Sequence, residues 1–458
     1  MGLDGRRGAA REATRYAPGV HPDDFDDNRS FWAATAPPDV ACAPLSGDIV
    51  ADVAIIGGGF TGTSTARELR LRRPDLGIVL LEAKTVGNGA SGRNGGQLLN
   101  WINGIGTDEP ALTRRVWDAT LHGIERVLAR ADAATAAGRP VRTTRHGALD
   151  LYTDPRRAER AQAHAARLNS LGIPVQFAAG ADARALLGAE GVAGVVWDPT
   201  AGVLAGVDLL RATKAELLAD GVRIYEGTPV LRVREGETIA LDTPGGTVRA
   251  KALVLATNGY THLLGYFRGG VFPLLSHVVS VPMAAAAWGA AGTFSDDMDR
   301  ISYGAHVPGE NGAGELVFGG GSNTSYTYRY GGRTGGDMGA AADTAVRKKL
   351  AHYFPGAAEP SHRWSGVLGI TLSRRPSVGR RGNVYWGLGY SGHGVTLANL
   401  AGEILADLYV DEADRWVGLP IVHATEGVRP FGWIPPDPFR WVGYHAYTAM
   451  TGRSPRRG

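Results

Sequence analysis

The sequence places a glycine fingerprint at the point where an apolar strand turns into a helix. Asp52 to Ile56 reads as a strand, Gly57-Gly58-Gly59-Phe60-Thr61-Gly62 follows as G-x-G-x-x-G, and a helix runs from about Thr61 to Arg72. A second strand, about Gly77 to Leu81, completes the start of a βαβ unit and leads into Glu82 and Ala83. Each glycine has its own physical reason. Gly57 permits the tight turn, Gly59 lets the backbone approach a pyrophosphate, and Gly62 lets helix and strand pack closely. The helix N-terminus, with Phe60 and Thr61 in its first turn, offers free N–H groups and a positive dipole end to phosphates. Glu82 lies at the spacing where an acid accepts ribose hydroxyls, and it would repel a 2′-phosphate. The unit therefore predicts a bound dinucleotide other than NADP.

Two further glycine loops extend this reading. Gly89-Ala90-Ser91-Gly92-Arg93-Asn94-Gly95-Gly96-Gln97 is nearly all small, which suits a loop lying along an extended cofactor with backbone donors facing it. Arg93 is a candidate for a phosphate or for closing over a ring system. Far away, Gly387-Leu388-Gly389-Tyr390-Ser391-Gly392-His393-Gly394-Val395 opens a second helix, whose N-terminus suits the negative charge of a reduced flavin. His393 alone reads as an ordinary loop residue.

The rest of the chain narrows the class. Hydrophobic residues make up 44% and charged residues 20%, enough for a real core. Net charge is only +3 with no basic block, which argues against nucleic acid as partner. The single cysteine, Cys42, excludes an intrachain disulfide and a cysteine-based metal site, and no metal is expected. No apolar run approaches a transmembrane length and no secretory leader is visible, so a soluble, cytoplasmic protein is expected. Residues 1–27 read as frayed, while the SFWAAT stretch at 30–35 carries two aromatics that can pack back on the body. Helices are expected over 111–135, from Pro155 to Leu171 and from Val395 to Tyr409. Strands are expected from Gly147 to Tyr152, Val271 to Met283, Glu315 to Phe318 and Asn383 to Leu388, with a hairpin from Ile239 to Ala256. The Pro/Trp-rich tail around Trp433 to Trp441 reads as extended and packed on this chain or a partner subunit, with a membrane foot less favoured.

With these motifs in place, the chain resembles the D-amino-acid oxidase superfamily, within it the glycine oxidase, sarcosine oxidase and gamma-glutamylputrescine oxidase branch. The resemblance is carried by Asp52 to Gln97, Leu253 to Tyr260, Trp364 to Gly379 and Gly389 to Asp407, and spans roughly residues 30–410. It implies an α/β protein with a Rossmann-like, doubly wound FAD-binding domain plus an α+β substrate domain with a mostly antiparallel sheet. By that resemblance the FAD domain takes residues 46–105, 196–262 and 364–412, and the substrate domain takes 106–195 and 263–363. Residues 1–45 form an N-terminal segment and 413–458 a C-terminal extension. Val230 would meet the adenine end, with Ala256, Thr257 and Asn258 passing near the cofactor.

The implied chemistry is oxidation of a C–N bond of a small amine or amino acid, with oxygen or a quinone or other carrier taking the electrons. The cysteine used for covalent flavin in the sarcosine-oxidase type is absent, since the corresponding stretch reads Phe318-Gly319-Gly320-Gly321-Ser322, so FAD is expected to be non-covalent. The lysine that relatives of that type place near the flavin is also absent, because no Lys lies between Lys251 and Lys348. His277 or an Arg is the candidate substitute. Candidate substrate residues are His277, Tyr303, Tyr326, Tyr328, Arg329 and Tyr330, with Arg329 or Arg333 able to grip a carboxylate. His277, Tyr303 and Arg329 are the catalytic candidates. The competing readings are a dehydrogenase for a larger biosynthetic amine and a flavin-binding protein without catalysis. The sequence leaves the oligomeric state open.

Overall fold

The computed structural model describes residues 20, 25–297, 301–320, 326–328, 338–423 and 430–435, with scattered positions beyond. One nine-stranded sheet carries the fingerprint. Its main path runs Val422–His423, Ser377–Arg381, Val384–Leu388, Gly246–Leu255, Ile49–Ile56, Ile78–Leu81 and Arg223–Tyr225. The five strands from Val384–Leu388 to Arg223–Tyr225 are mutually parallel. Parallel strands covered on both faces must be apolar throughout, and Val53, Ala54 and Ile55 at the centre are fully buried. Strand order reverses direction of travel between Ile49–Ile56 and Gly246–Leu255. A crevice at the carboxyl ends of strands flanking such a switch point is where this architecture holds ligands.

The helix Phe60–Arg72 follows the fingerprint and packs on the helix Gly394–Tyr409. Small residues allow the close crossing: a Cβ on Gly402 would stand 2.5 Å from the Ser64 Cβ, and the Ser64 hydroxyl donates to the Asn399 carbonyl at 2.9 Å. The outer end of this pair is pinned by charge. Burial alone would raise the Glu403 carboxyl, but His122, Arg126 and Arg415 hold it down at about 2.

The second nine-stranded sheet has a main path of Tyr326–Tyr328, Val271–Pro282, Gly314–Gly320, Ser302–Pro308, Thr293–Asp296, Ala148–Tyr152, Gly194–Asp198 and Gln176–Ala178. The strand His362–Thr371 pairs antiparallel along the length of Val271–Pro282. Thr293–Asp296 with Ala148–Tyr152 is its one parallel pair among the described residues. The expected limits at 196 and 364 therefore fall inside the strands Gly194–Asp198 and His362–Thr371, both members of this second sheet. The cause is physical: both are apolar strands whose ladder partners are far away in sequence, so local pattern cannot assign them to a sheet.

The ends of the chain also depart from expectation. Phe31–Thr35 is a helix capped by the Ser30 hydroxyl, with Phe31 and Trp32 buried, as the aromatic stretch predicts. Residues 25–27, expected to fray, instead touch the body: Phe25 packs edge-on against Tyr260 and Asp26 pairs with Arg93. Positions 1–19 and 21–24 lie outside the described residues. The C-terminal extension is partly integral. Val422–His423 joins the first sheet beside Ser377–Arg381, and Phe431 packs edge-on against Phe267. No helix among the described residues is long and apolar enough to cross a membrane.

Candidate cofactor site

The fingerprint glycines are fixed by three different constraints. Gly57 has φ +109°, and a Cβ there would approach the Ala256 carbonyl oxygen to 2.7 Å. A Cβ on Gly62 would reach 1.9 Å from the Gly57 carbonyl oxygen, so only glycine lets this helix sit on this strand. Gly59 is the N-cap, and a Cβ there would meet the Ser91 hydroxyl at 2.7 Å. That hydroxyl already caps the helix by accepting from the Phe60 N–H at 3.0 Å.

Glu82 closes the far end of the motif. One carboxylate oxygen accepts from the Gly58 N–H at 2.7 Å and the other from the Lys84 N–H at 3.0 Å. Burial pushes this carboxyl up against the pull of those backbone bonds. Each carboxylate oxygen has two acceptor sites, so capacity for ribose hydroxyls remains.

A cleft runs from Glu82, past the fingerprint, to the second glycine loop. Of the sequence-predicted residues, Gly57, Gly59, Phe60, Thr61, Glu82, Ala83, Ala90, Ser91, Asn94, Val230, Ala256, Thr257, Asn258, Gly392, Gly394 and Val395 line it. Gly62, Gly92, Arg93, Gly95, Gly96, Gln97, Gly389, Ser391 and His393 are not among its walls. They build the loops behind it. A Cβ on Gly92 would meet the Gly87 carbonyl oxygen at 2.0 Å. Gly95 lies under the Tyr303 ring and Gly96 against Trp32. The Gln97 amide donates to the Thr293 hydroxyl at 2.7 Å and to the Phe294 carbonyl at 3.0 Å.

Arg93 requires a correction. Its side chain is buried at 3% exposure, donating to the Asn88 carbonyl at 2.8 Å and the Asp26 carbonyl at 3.0 Å. It also donates to the Ser365 carbonyl at 3.4 Å and forms an ion pair with the Asp26 carboxylate at 3.1 Å. The guanidinium thus serves the N-terminal segment, not a phosphate. The sequence could not show this, because Asp26 is 67 residues away in a stretch that reads as disordered.

The second loop is held by a residue in the left-handed region. Asn258 has φ +43°, and its side-chain oxygen accepts from the Gly389 N–H at 2.9 Å. Asn tolerates that backbone conformation better than most residues. His393 is the N-cap of Gly394–Tyr409, its Nδ1 lies 2.6 Å from the Asn103 amide nitrogen, and burial pulls its pKa to about 4. It is neutral at pH 7 and acts as a loop residue. Sequence reasoning missed Tyr390, Tyr260, Asn88, Leu368 and Phe25 as walls of the cleft. Tyr390 was discoverable, since it sits inside the second glycine loop; its hydroxyl meets the Thr61 hydroxyl at 2.7 Å and joins the two glycine loops.

Of the three catalytic candidates, the two that are described, Tyr303 and His277, do not converge. The Tyr303 hydroxyl lies 3.3 Å from the Ser276 hydroxyl, with its ring on Gly95. His277 is buried, with Nδ1 2.7 Å from the Ser365 hydroxyl. Successive strand residues face opposite ways, so His277 points away from the face that carries Ser276 and Tyr303. Alternation was legible in the sequence, but which face meets the cofactor was not. Arg329, Tyr330 and Arg333 lie outside the described residues, and the backbones of Tyr326 and Tyr328 pair with Ser276 and Leu274.

A glycine cradle at Gly59, a carboxylate at the ribose position and two helix N-termini on one cleft suit a long, twice-phosphorylated cofactor. The chain belongs to the FAD dependent oxidoreductase (DAO) family, whose profile matches residues 52–408. It is an FAD-dependent oxidoreductase. Among its relatives, gamma-glutamylputrescine oxidoreductase of Escherichia coli (strain K12) is 27% identical over 411 residues, covering 84% of this chain and 90% of that protein. Glycine oxidase of Geobacillus kaustophilus (strain HTA426) is 28% identical over 370 residues, covering 78% and 92%. A crystal structure of glycine oxidase from Geobacillus kaustophilus superposes with a TM-score of 0.69 at 25% identity, over 83% of this chain and 99% of that one.

Proposed function

We propose that the protein oxidises a C–N bond of a small amine or amino acid to an imine, with FAD lying along the cleft from Glu82 to Gly394. The observation that carries this is the single cleft onto which both glycine loops and Glu82 open. The substrate class is supported by the printed activities of the relatives, glycine oxidase and gamma-glutamylputrescine oxidoreductase. FAD held there would supply the acceptor for the two electrons and the hydrogen that leave the substrate carbon. The chain's own contribution is placement. Gly59 and the first turn of Phe60–Arg72 would hold the pyrophosphate, Glu82 the ribose and Val230 the adenine. The N-terminus of Gly394–Tyr409 presents its dipole to the ring system, which favours added negative charge there.

The segments 46–105, 196–262 and 364–412 hold the cofactor in this reading, apart from the two strands that belong to the second sheet. The segments 106–195 and 263–363 cover it. Tyr303 is the better supported of the described catalytic candidates, since it packs on Gly95 of the loop that continues from the cleft wall. Arg329 keeps its proposed role as a carboxylate grip.

One observation favours an acceptor other than oxygen. The chain has five lysines, and none lines the cleft. Lys251 is 76% exposed and paired with Asp52 at 2.8 Å, and Lys214 is locked between Asp39 and Glu226. A buried cation beside a reduced cofactor would speed electron transfer to oxygen, and His277 is turned away from that position.

Anaerobic mixing of the yellow protein with a panel of amines and amino acids tests the proposal. At least one should bleach the flavin absorbance and yield the carbonyl compound from imine hydrolysis. Reoxidation should be faster with a quinone or dye than with oxygen. If 2-hydroxy acids bleached the flavin and no amine did, the C–N assignment would be wrong.

A further inference from the structure

We infer that residues 25–32 form a strap that retains FAD, latched by the Asp26–Arg93 ion pair, and that FAD leaves only when the strap opens. This rests on the reading of the cleft as the FAD site. The segment lies before residue 52, where the family match begins.

The strap is bonded to the loop at 87–94 along its whole length. The Asn28 N–H donates to the Asn88 side-chain oxygen at 2.9 Å, and the Asn28 amide donates to the Gly92 carbonyl at 3.0 Å and the Gly87 carbonyl at 3.2 Å. The Ser30 hydroxyl also donates to the Gly92 carbonyl, at 2.6 Å. The Trp32 indole donates to the Asn94 carbonyl at 2.7 Å, and the Asn88 amide returns a bond to the Asp26 carbonyl at 2.9 Å. Asn88, Gly89, Ala90, Ser91 and Asn94 of that loop are cleft walls.

The other rim is the short helix Asn258–Leu264. Phe25 reaches it, with its ring centroid 5.7 Å from that of Tyr260 at 60°. Phe25 and Tyr260 both line the cleft, as does Val20. The strap thus crosses from one rim to the other. Its two ends differ in security. Phe31 and Trp32 are core residues at 8% and 1% exposure, whereas Phe25 and Asp26 are half-buried. The hinge therefore lies toward Trp32, and the end that opens is the one over the cleft.

Arg93 is what makes the closed state favourable. Asp26 is the one carboxylate paired with it among the described residues. Opening leaves a nearly buried guanidinium with backbone carbonyls as its remaining bonds, a costly state for a charge. A cofactor in the cleft would lie against Phe25, one of its walls, a contact that the open strap would lack. By linkage, bound FAD holds the strap shut and the strap slows FAD release.

The test is FAD release from purified holoenzyme, followed by the fluorescence gained as flavin leaves on dilution. Asp26→Ala and Phe25→Ala should each release FAD at least about tenfold faster than the parent, the scale expected for one ion pair to a buried guanidinium or one ring contact. Asp26→Glu should stay near the parent rate. Asp26→Ala with Arg93→Met should release FAD at least as fast as Asp26→Ala alone, because the bonds of Arg93 to the Asp26 and Asn88 carbonyls are then lost as well. Both alanine variants should keep the far-ultraviolet circular dichroism of the parent, so that faster release reads the latch and not unfolding of the chain. A second measurement does not depend on the variants: trypsin should cut after Arg29 faster in FAD-stripped protein than in holoenzyme. Parent-like release in both alanine variants, or equal cleavage at Arg29 with and without FAD, would overturn the strap. Neither result would touch the cofactor assignment, which fails only if Gly59→Val keeps its flavin.

Discussion

Gly59→Val should give a folded, colourless protein. The Cβ at this position would meet only the Ser91 hydroxyl, 2.7 Å away, a small side chain that can turn aside. The backbone around Gly59 can therefore keep its course, but a branched side chain would stand where the pyrophosphate approaches the N-terminus of Phe60–Arg72. Losing two charge-assisted bonds costs roughly 3–6 kcal/mol, which is a more than hundredfold fall in FAD affinity. Far-ultraviolet circular dichroism should be unchanged while the flavin spectrum is missing. The contrast with Gly62 is instructive, since a methyl there strikes the Gly57 carbonyl oxygen and disturbs the fold itself. A full flavin complement in Gly59→Val would show that the pyrophosphate lies elsewhere.

Lys214→Met should be the most destabilising single change away from the cofactor. The Lys214 ammonium, at 1% side-chain exposure, bonds the Glu226 carboxylate at 2.8 Å and the Asp39 carboxylate at 2.9 Å. Burial works against its charge, but the bonds to Glu226 and Asp39 win and hold its pKa above the ordinary lysine value. Glu226 also accepts from the Val86 N–H and the Cys42 N–H, both at 2.7 Å, so the cluster ties the loop after Glu82 to the segment before the first strand. Removing the cation leaves Glu226 buried without a positive partner, at a cost of about 3–5 kcal/mol. Thermal melting of the FAD-stripped variant should fall by several degrees. Lys214→Met with Glu226→Gln should recover part of the loss, since the stranded charge is then gone. An unchanged melting temperature in the single variant would mean that the cluster opens to water at little cost.

The fingerprint, the βαβ start and Glu82 were legible because their determinants are local. A G-x-G-x-x-G turn needs its glycines for reasons that act within a few residues, and the structure places Gly57, Gly59 and Gly62 under those constraints. The helices Pro110–Ala136 and Pro155–Ser170 matched their apolar spacing for the same reason. What was not legible depends on partners distant in sequence. Arg93 looked like a phosphate ligand because a sequence cannot show that Asp26 folds back onto it. His277 looked like a flavin neighbour because its strand enters the covering sheet, yet only the register with Ser365 reveals which way the ring faces. The two-residue strands Gln97–Leu98 and Thr143–Thr144 carry too little pattern to be seen, although with Gly202–Leu204 they form a third, small sheet.

The central claim is that one FAD lies in the cleft between Glu82 and Gly394 and is held there without a covalent bond. The chain's one cysteine supports the second half: Cys42 is not among the walls of the cleft, and its N–H is bonded to Glu226. Acid precipitation of the purified yellow protein, followed by identification and counting of the flavin in the supernatant, tests this most directly. About one FAD per chain should be recovered, all of it soluble, as expected for a single site of this kind. Flavin that stayed with the precipitate, or a supernatant containing a different nucleotide, would contradict it.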